Sequence, residues 1–345
     1  MFELLKEIDP STQSHLLSKS ENYFSILKEY DKSNQKLDLI LKNNHHRTIG
    51  KASNFSVGTL VANADVLLKH DEISMGLGLL REALNKNSFH KGATKKIIST
   101  LLEQENYQEA YNVASAILAK DRTFENLFNL AHINYQIKKD SEAFDQYLEC
   151  LQLVVAQEPE LFEIFKNLGN ILVRASDFEG AEEYYNKAYI LNPNSDLLFV
   201  NFGTLEAQKG DFNKSKDHLS KALEINPQND KAWVGLALVH SHFGDHEIAW
   251  ANIECALEVN SKNKTAVHLA ATWSVRDAQV DKGLGIVLNY LEQENFDEEI
   301  SMILVHMLCL KKSYQLALLE VEKTLCWNPQ STEFKNLYEQ LKNQI

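Results

Sequence analysis

Two groups of residues could carry chemistry, and the first is a set of possible metal ligands. His240, His242 and His246 lie within seven residues of one another, and the thiol of Cys255 follows nine residues later. A zinc ion requires three or four such ligands that converge on one point. The helical spacing of the surrounding apolar residues assigns His240 to a core position and Cys255 to the following helix. We therefore predict no metal site here.

The second group consists of two glycine pairs, Gly76 with Gly78 and Gly283 with Gly285. Each looks like the start of a dinucleotide-binding fingerprint, but both lack the third glycine and a preceding strand. Close packing between helices explains these glycines better, because they leave room for a neighbouring side chain. The chain also lacks serine-hydrolase, phosphate-loop and kinase motifs. The sequence therefore predicts a protein that is not an enzyme and binds no cofactor.

The spacing of the prolines indicates the elements that position these residues. Pro159, Pro193 and Pro227 follow one another at intervals of 34 residues, and Pro329 lies three such intervals beyond Pro227. A fixed interval of this length is the sequence signature of a repeat architecture. The low content of proline and glycine, 5 and 13 residues in 345, also argues against a fold of many short strands.

The clearest repeat covers residues 162–195. Its apolar and small residues recur at helical spacing, first before and then after a short polar turn, so it predicts two amphipathic helices. The signature residues are Phe165, Leu168, Gly169, Leu172, Ala181, Tyr185, Ala188 and Pro193. This pattern of large, small, aromatic and proline residues resembles the tetratricopeptide repeat.

The resemblance implies an all-α fold, a right-handed superhelical solenoid of about eight helix-turn-helix repeats over residues 57–331. Residues 332–345 are then a C-terminal capping helix, and residues 1–56 an N-terminal helical cap or docking segment with a helix over Ser20–Asn43. We expect a second helix that extends through Val155, since the repeat before Leu161 has about four extra residues. The internal turns are expected at Asn106, Asp177, Asp211, Asp245 and Ser313.

Composition and charge restrict the partners. The formal net charge is −13, and a net acidic surface repels phosphate groups, so we expect neither nucleic acid nor membrane insertion. No stretch approaches 18 uncharged apolar residues, and charged residues interrupt the N-terminus where a signal peptide would be apolar. The four cysteines form no C-x-x-C pair, which favours reduced thiols in the cytoplasm. The oligomeric state stays open.

The resemblance also implies a function. Tetratricopeptide proteins are non-catalytic adaptors or scaffolds that bind a peptide or protein in a concave groove lined by the first helices. By the family pattern, the peptide-binding residues of this chain are Lys166, Asn170, Arg174, Val200, Asn201, Thr204, Lys231, Val234, Leu238 and His242. Further positions of the same stripe are Lys95, Glu103, Phe128, His132, Tyr135, Glu163, Gln208, His268, Thr272, Arg276, Met302 and His306.

Two alternatives remain open at this point. Lys166, Asn170, Asn201 and Lys231 resemble the carboxylate clamp of co-chaperones that bind a C-terminal peptide tail, although Gly235 stands where the clamp has an arginine. In the second alternative, the chain is a structural or regulatory subunit of a larger complex, such as a motility or cell-polarity assembly. Its contact with the other subunits would then be the acidic convex face.

Overall fold

The structure is a computed structural model that describes residues 55–344, apart from residues 70, 89, 155–158 and 295. Within this part of the chain every regular element is an α-helix and no strand occurs, which confirms the all-α prediction. The predicted helix at Ser20–Asn43 lies outside the described residues. The helices are α1 Val57–Lys69, α2 Ile73–Lys86, α3 Lys91–Glu103, α4 Tyr107–Leu118, α5 Phe124–Gln136, α6 Asp140–Leu153, α7 Leu161–Arg174, α8 Phe178–Leu191, α9 Asp196–Lys209, α10 Phe212–Ile225, α11 Asp230–Phe243, α12 His246–Val259, α13 Lys264–Arg276, α14 Val280–Gln293, α15 Glu298–Leu310, α16 Tyr314–Trp327 and α17 Thr332–Lys342.

The described helices group into two compact units, residues 55–193 and residues 194–344. The N-terminal unit contains α1 to α8, and the C-terminal unit contains α9 to α17. Odd-numbered helices from α1 to α15 are the first helices of their repeats, and even-numbered helices are the second helices. Inside each unit every helix packs against the next, and first helices of neighbouring repeats also touch, as α3 does with α5, α9 with α11 and α13 with α15.

The turn inside each repeat ends at the N-cap residue of the second helix. Asn106, Asp177 and Asp211 each occupy this position, and each side chain accepts a hydrogen bond from the backbone N–H three residues later. Such a bond satisfies one of the free N–H groups at a helix start. Asp245 and Ser313 are N-cap residues as well. The predicted turn positions are therefore confirmed.

The residue just before this N-cap has a left-handed backbone in every described repeat. Glycine adopts this conformation without strain, whereas other residues pay about 1 kcal/mol or more for it. The C-terminal unit uses glycine at two of its four turns, and the N-terminal unit uses none. The residues are Asp71, Glu105, Lys138, Ser176, Gly210, Gly244, Ala278 and Lys312.

The extra residues of the third repeat do not lengthen its second helix, so that prediction is wrong. Helix α6 ends at Leu153, and Val154 already has an extended backbone. Val155 lies outside the described residues. Helix α6 has 14 residues, as do α8 and α10, so the additional residues belong to the connection that leads to Leu161. Two consecutive β-branched valines favour this early end, because branching at Cβ lowers helix propensity.

Small residues on the first helices allow close packing against the second helices. A Cβ atom at position 169 would overlap the ring of Tyr185, a side chain that is 1% exposed. In the next repeat Gly203 lies against Leu219 in the same way. The last helix, α17, packs on α16 and buries Phe334 and Leu341, while Lys335 and Glu339 on its other side are exposed.

Polar contacts connect the start of a first helix to the end of its own repeat. The Asp196 carboxylate accepts hydrogen bonds from Asn226 (2.6 Å) and Asn229 (2.9 Å). The next repeat has the same contact, in which the acceptor is Asp230 and the donors are Asn260 (2.6 Å) and Asn263 (2.8 Å). In the repeat after that, the donor lies at the start of the first helix and the acceptor at the end of the repeat, because Lys264 donates to Asp297 at 3.0 Å.

Candidate protein-binding surface

The residues predicted to bind a peptide lie on first helices of both units. Helix α7 of the N-terminal unit carries Lys166, Asn170 and Arg174. Helices α9 and α11 of the C-terminal unit carry the remaining seven. In the following, the solvent-facing side of the first helices is called the first-helix surface of its unit.

In the N-terminal unit, both cations of α7 are already paired. The Lys166 ammonium lies 2.5 Å from the Glu163 carboxylate, and the Lys166 side chain is only 12% exposed. Arg174 donates two hydrogen bonds to Asp140, at 2.7 Å and 2.6 Å, and its guanidinium lies 4.8 Å from the centre of the Tyr135 ring. Paired groups of this kind have little capacity left for a ligand carboxylate.

The amide of Asn170 makes two hydrogen bonds inside the N-terminal unit. Its nitrogen donates to the Tyr135 hydroxyl at 2.8 Å, and its oxygen accepts from the Tyr185 hydroxyl at 2.6 Å. Burial raises the pKa of Tyr185 above its ordinary value, which keeps that hydroxyl protonated and able to donate. Asn170 therefore joins α5, α7 and α8 by hydrogen bonds.

A row of half-buried rings extends along α5 beside these contacts. Neighbouring ring centres are 6.3 Å apart for Phe124 and Phe128, 6.0 Å for Phe128 and His132, and 6.4 Å for His132 and Tyr135. Burial lowers the pKa of His132, so its imidazole is held neutral, as packing among apolar rings requires. The sequence indicated three of these positions, and their spacing of three and four residues places the rings on one face of α5.

In the C-terminal unit, two of the predicted residues lie in the core. Val200 is 9% exposed and packs in the same cluster as Leu219, and Val234 is 7% exposed and packs near Trp273. Both valines therefore offer almost no surface to a ligand. The family pattern places them on the inner stripe, but here the neighbouring repeat covers them.

The other predicted residues of the C-terminal unit are accessible. Leu238 is 46% exposed, and Lys231, Thr204 and His242 are exposed as well. The imidazole of His242 stacks on Phe212, with ring centres 3.6 Å apart. Lys231 and the half-buried Asn201 have no hydrogen-bond or ion-pair partner among the described residues. Lys231 and Asn201 are thus free on this surface, whereas the fold uses the polar groups of α7.

The residues that could ligate a metal do not converge in the described part of the chain. No three histidine, cysteine, aspartate or glutamate side chains there are grouped as metal ligands. His240 is 8% exposed, and its ring nitrogen lies 3.3 Å from the Asp245 carboxylate. All four cysteines are free thiols. No described helix is long and apolar enough to cross a membrane.

Comparison with known protein families identifies two of these repeats. The tetratricopeptide repeat models match residues 162–195 and residues 198–229, which are the α7–α8 and α9–α10 pairs. The chain is a tetratricopeptide-repeat protein. Tetratricopeptide repeats are scaffolds for protein–protein interaction, and this is the general role of the chain. A search of curated proteins found no relative with significant sequence similarity.

Solved structures share the fold at low sequence identity. A tetratricopeptide repeat protein from Parabacteroides merdae is 16% identical, with a TM-score of 0.60, over 73% of this chain and 98% of that one. Yeast Tom70 is 14% identical, with a TM-score of 0.66, over 84% of this chain and 65% of that one. A chain of the APC/C hetero-tetramer Cut9-Hcn1 is 15% identical, with a TM-score of 0.51, over 82% of this chain and 55% of that one. The tetratricopeptide chain described here is thus an α-solenoid of stacked helix pairs.

Proposed function

We propose that this tetratricopeptide protein is a non-catalytic adaptor that binds a segment of a partner protein along its first-helix surface. The observation that carries the proposal is the exposure of Leu238 (46%), an apolar side chain on the first helix α11. Stacked repeats form an extended surface that binds partners, and an exposed apolar side chain on that surface is available for such a contact.

The cytoplasm is part of the same proposal. The free thiols of Cys150, Cys255, Cys309 and Cys326 support a reducing compartment, since oxidising compartments favour disulfides. The net charge of −13 supports protein partners over nucleic acid or an anionic membrane surface.

Site-specific photo-crosslinking in the native cell tests this function. A photo-reactive phenylalanine analogue replaces Leu238 on α11 in one variant and Ile248 on α12 in the other. The two side chains belong to the same repeat and are 46% and 49% exposed, so their chance of random encounter is matched. We expect a discrete crosslinked partner from position 238 and none from position 248. A partner that crosslinks only at position 248 would overturn the proposal.

The carboxylate-clamp alternative is less well supported. Two of its four groups, Lys166 and Asn170, already have partners within the N-terminal unit, namely Glu163, Tyr135 and Tyr185. The alternative requires a peptide with a free C-terminal carboxylate to bind more tightly than its amidated form. Equal binding of the two forms excludes it.

A structural or regulatory subunit of a larger assembly is the second alternative. The second helices support it, because they also expose apolar side chains, namely Ile190 (79%), Ile248 (49%) and Trp327 (42%). Among the structural neighbours, a chain of the Cut9-Hcn1 hetero-tetramer is part of such an assembly. The crosslink at position 248 is the outcome that favours this alternative.

A further inference from the structure

The first described helix, α1, exposes a face that its counterparts in later repeats bury. On α3, α5, α7, α11, α13 and α15, the residues twelve, eight and five positions before the left-handed turn residue are buried, with the half-buried Asn126 as the exception. On α7 they are Ile164, Leu168 and Ile171, and on α15 they are Ile300, Leu304 and Met307. The equivalent residues of α1 are Thr59, Asn63 and Val66, and all three are exposed, Val66 to 56%. Together with the exposed Ala62 they form the outer face of α1.

In later repeats the preceding second helix covers this face. Helix α11 packs on α10, and Ala232 and Leu236 of α11 lie in one buried cluster with Leu219 of α10. Helix α13 packs on α12 in the same way, with the rings of Trp273 and Trp250 centred 6.2 Å apart. Helix α1 has no such predecessor among the described residues.

The outer face of α1 differs in composition from a helix face that ends in water. An exposed end of a repeat array requires a polar outer face. Helix α17 has one, since four of its seven exposed residues are charged, namely Glu333, Lys335, Glu339 and Lys342. Of the six exposed residues of α1, only Lys69 is charged, and the neighbouring Phe55 is 42% exposed. The outer face of α1 therefore suits contact with another element better than contact with solvent.

The chain that precedes α1 is long enough to supply this element. Residues 1–54 lie outside the described residues. Inside each unit, a second helix precedes the first helix that it covers, and four to seven residues connect the two. The helix that the sequence predicts over Ser20–Asn43 ends 13 residues before Val57. Such a connection extends to about 43 Å, well beyond the distance of about 8–10 Å between packed helices.

The last part of the predicted helix has the residues for such a contact. In a helix with 3.6 residues per turn, Leu37, Ile40 and Leu41 share one face, and Leu39 lies on the opposite face. Residues 32–51 contain five basic residues and one acidic residue, a net charge of +4, whereas residues 55–193 contain 13 basic and 20 acidic residues, a net charge of −7. Opposite net charges favour association of this segment with the N-terminal unit.

We propose that residues 32–43 dock as a helix on the outer face of α1, in the place that a second helix has in later repeats. Leu37, Ile40 and Leu41 then pack against Ala62 and Val66. The chain itself thereby covers the start of its repeat array, and this face is closed to a second copy. The proposal is independent of the proposed function, which concerns the surface around Leu238.

Photo-crosslinking within the full chain tests the proposal. A photo-reactive phenylalanine analogue replaces Val66 in one variant and Ile190, an exposed apolar residue of the same unit, in the matched control. Unlabelled and ¹⁵N-labelled chains are mixed in equal amounts before irradiation. Mass spectrometry of the crosslinked peptides then separates contacts within one chain from contacts between copies. We expect crosslinks from position 66 to residues 32–43 of the same chain, and about tenfold fewer to these residues from position 190.

Two aspartate substitutions test which face of the segment is in contact. Leu41→Asp places a charge against α1 without a partner, so the crosslink yield from position 66 should fall about fivefold. Leu39→Asp makes the same change of residue and of net charge on the opposite face, and should lower the yield less than about twofold. Circular dichroism of each variant shows whether its fold is intact.

Three results would overturn the inference. The first is a set of crosslinks from position 66 that join only different copies, which would assign this face to a dimer. The second is a yield from position 66 no greater than that from position 190, and the third is an equal effect of the two aspartates. The crosslink at position 238 is measured separately, so the proposed function can hold where this inference fails.

Discussion

The first-helix surfaces of the two units contain similar residue types in different states. In the N-terminal unit Lys166 is paired with Glu163, and Asn170 is hydrogen-bonded to two tyrosines. In the C-terminal unit Lys231 and Asn201 have no partner among the described residues. The difference shows that a lysine or asparagine on this surface stabilises the fold in one repeat and is free for a ligand in another.

The chain contains its own reporters for this comparison. Cys150 is the one cysteine of residues 55–193, and the four tryptophans, at positions 233, 250, 273 and 327, all lie in residues 194–345. Thiol labelling therefore follows the N-terminal unit, and tryptophan fluorescence follows the C-terminal unit.

The largest expected effect concerns the reactivity of Cys150. Its side chain is fully buried, and burial raises the pKa of its thiol to about 12. At pH 8 such a thiol is ionised to about one part in 10⁴, so we expect Cys150 to react with a disulfide reagent about 10³-fold more slowly than the exposed Cys326. Peptide mapping after timed labelling measures the two rates.

Labelling in guanidinium is the control, since all four thiols should then react alike. Labelling of Cys150 at the rate of Cys326 in the native protein would mean that the N-terminal unit opens readily. Such a result would contradict the view that side-chain contacts hold the N-terminal unit more rigidly than the surface of the C-terminal unit.

A comparison of two glycines gives the next largest effect. Gly169→Ala places a Cβ against the rigid ring of Tyr185, whereas Gly203→Ala places one against the flexible side chain of Leu219. Because a ring held by Asn170 cannot turn away, we expect a loss of about 3 kcal/mol for Gly169→Ala and about 1 kcal/mol for Gly203→Ala. Denaturant titration, followed by Cys150 labelling for the first variant and by tryptophan fluorescence for the second, measures both losses. Equal losses would contradict a specially tight contact in the N-terminal unit.

The two asparagines provide the most direct comparison of the surfaces. Asn170→Ala removes a hydrogen bond from each of two tyrosine hydroxyls and should cost about 2 kcal/mol of unfolding free energy. Asn201→Ala removes no hydrogen bond that the structure shows and should change stability by less than about 0.5 kcal/mol. Denaturant titration measures both variants. A large loss for Asn201→Ala would mean that its amide is also needed for the fold.

The smallest expected effect concerns the turns. Lys138 has a left-handed backbone at φ 59°, and Lys138→Gly should stabilise the N-terminal unit by about 1 kcal/mol. The reverse change, Gly210→Ala at φ 85°, should destabilise the C-terminal unit by about the same amount, since open space surrounds position 210 and only the backbone is strained. A stability gain from Lys138→Ala comparable to that from Lys138→Gly would argue against backbone strain.

Much of the fold could be predicted from residue types and spacing. The 34-residue interval and the polar residues at Asn106, Asp177 and Asp211 predicted helix pairs and their turns, because helix packing and capping depend on local sequence. The end of α6 could not be predicted, since four extra residues fit either a longer helix or a longer connection.

The candidate surface could be predicted only in part. The family pattern identified the stripe, but whether Val200 is covered or Leu238 is open depends on the side chains that the neighbouring repeat places beside it. The pairing of Lys166 and Asn170 likewise requires Glu163 and Tyr135 at specific distances, which no single repeat position encodes.

The contacts between the two ends of a repeat have a consequence for copy number. Asp196 with Asn229, Asp230 with Asn263, and Lys264 with Asp297 each lie inside a single 34-residue stretch. Excision or duplication of residues 230–263 therefore removes or adds both Asp230 and Asn263. Lys264 and Asp297, in which the donor and acceptor positions are exchanged, likewise stay together in one stretch. Gain or loss of a whole 34-residue stretch by recombination therefore preserves this contact in every stretch that remains.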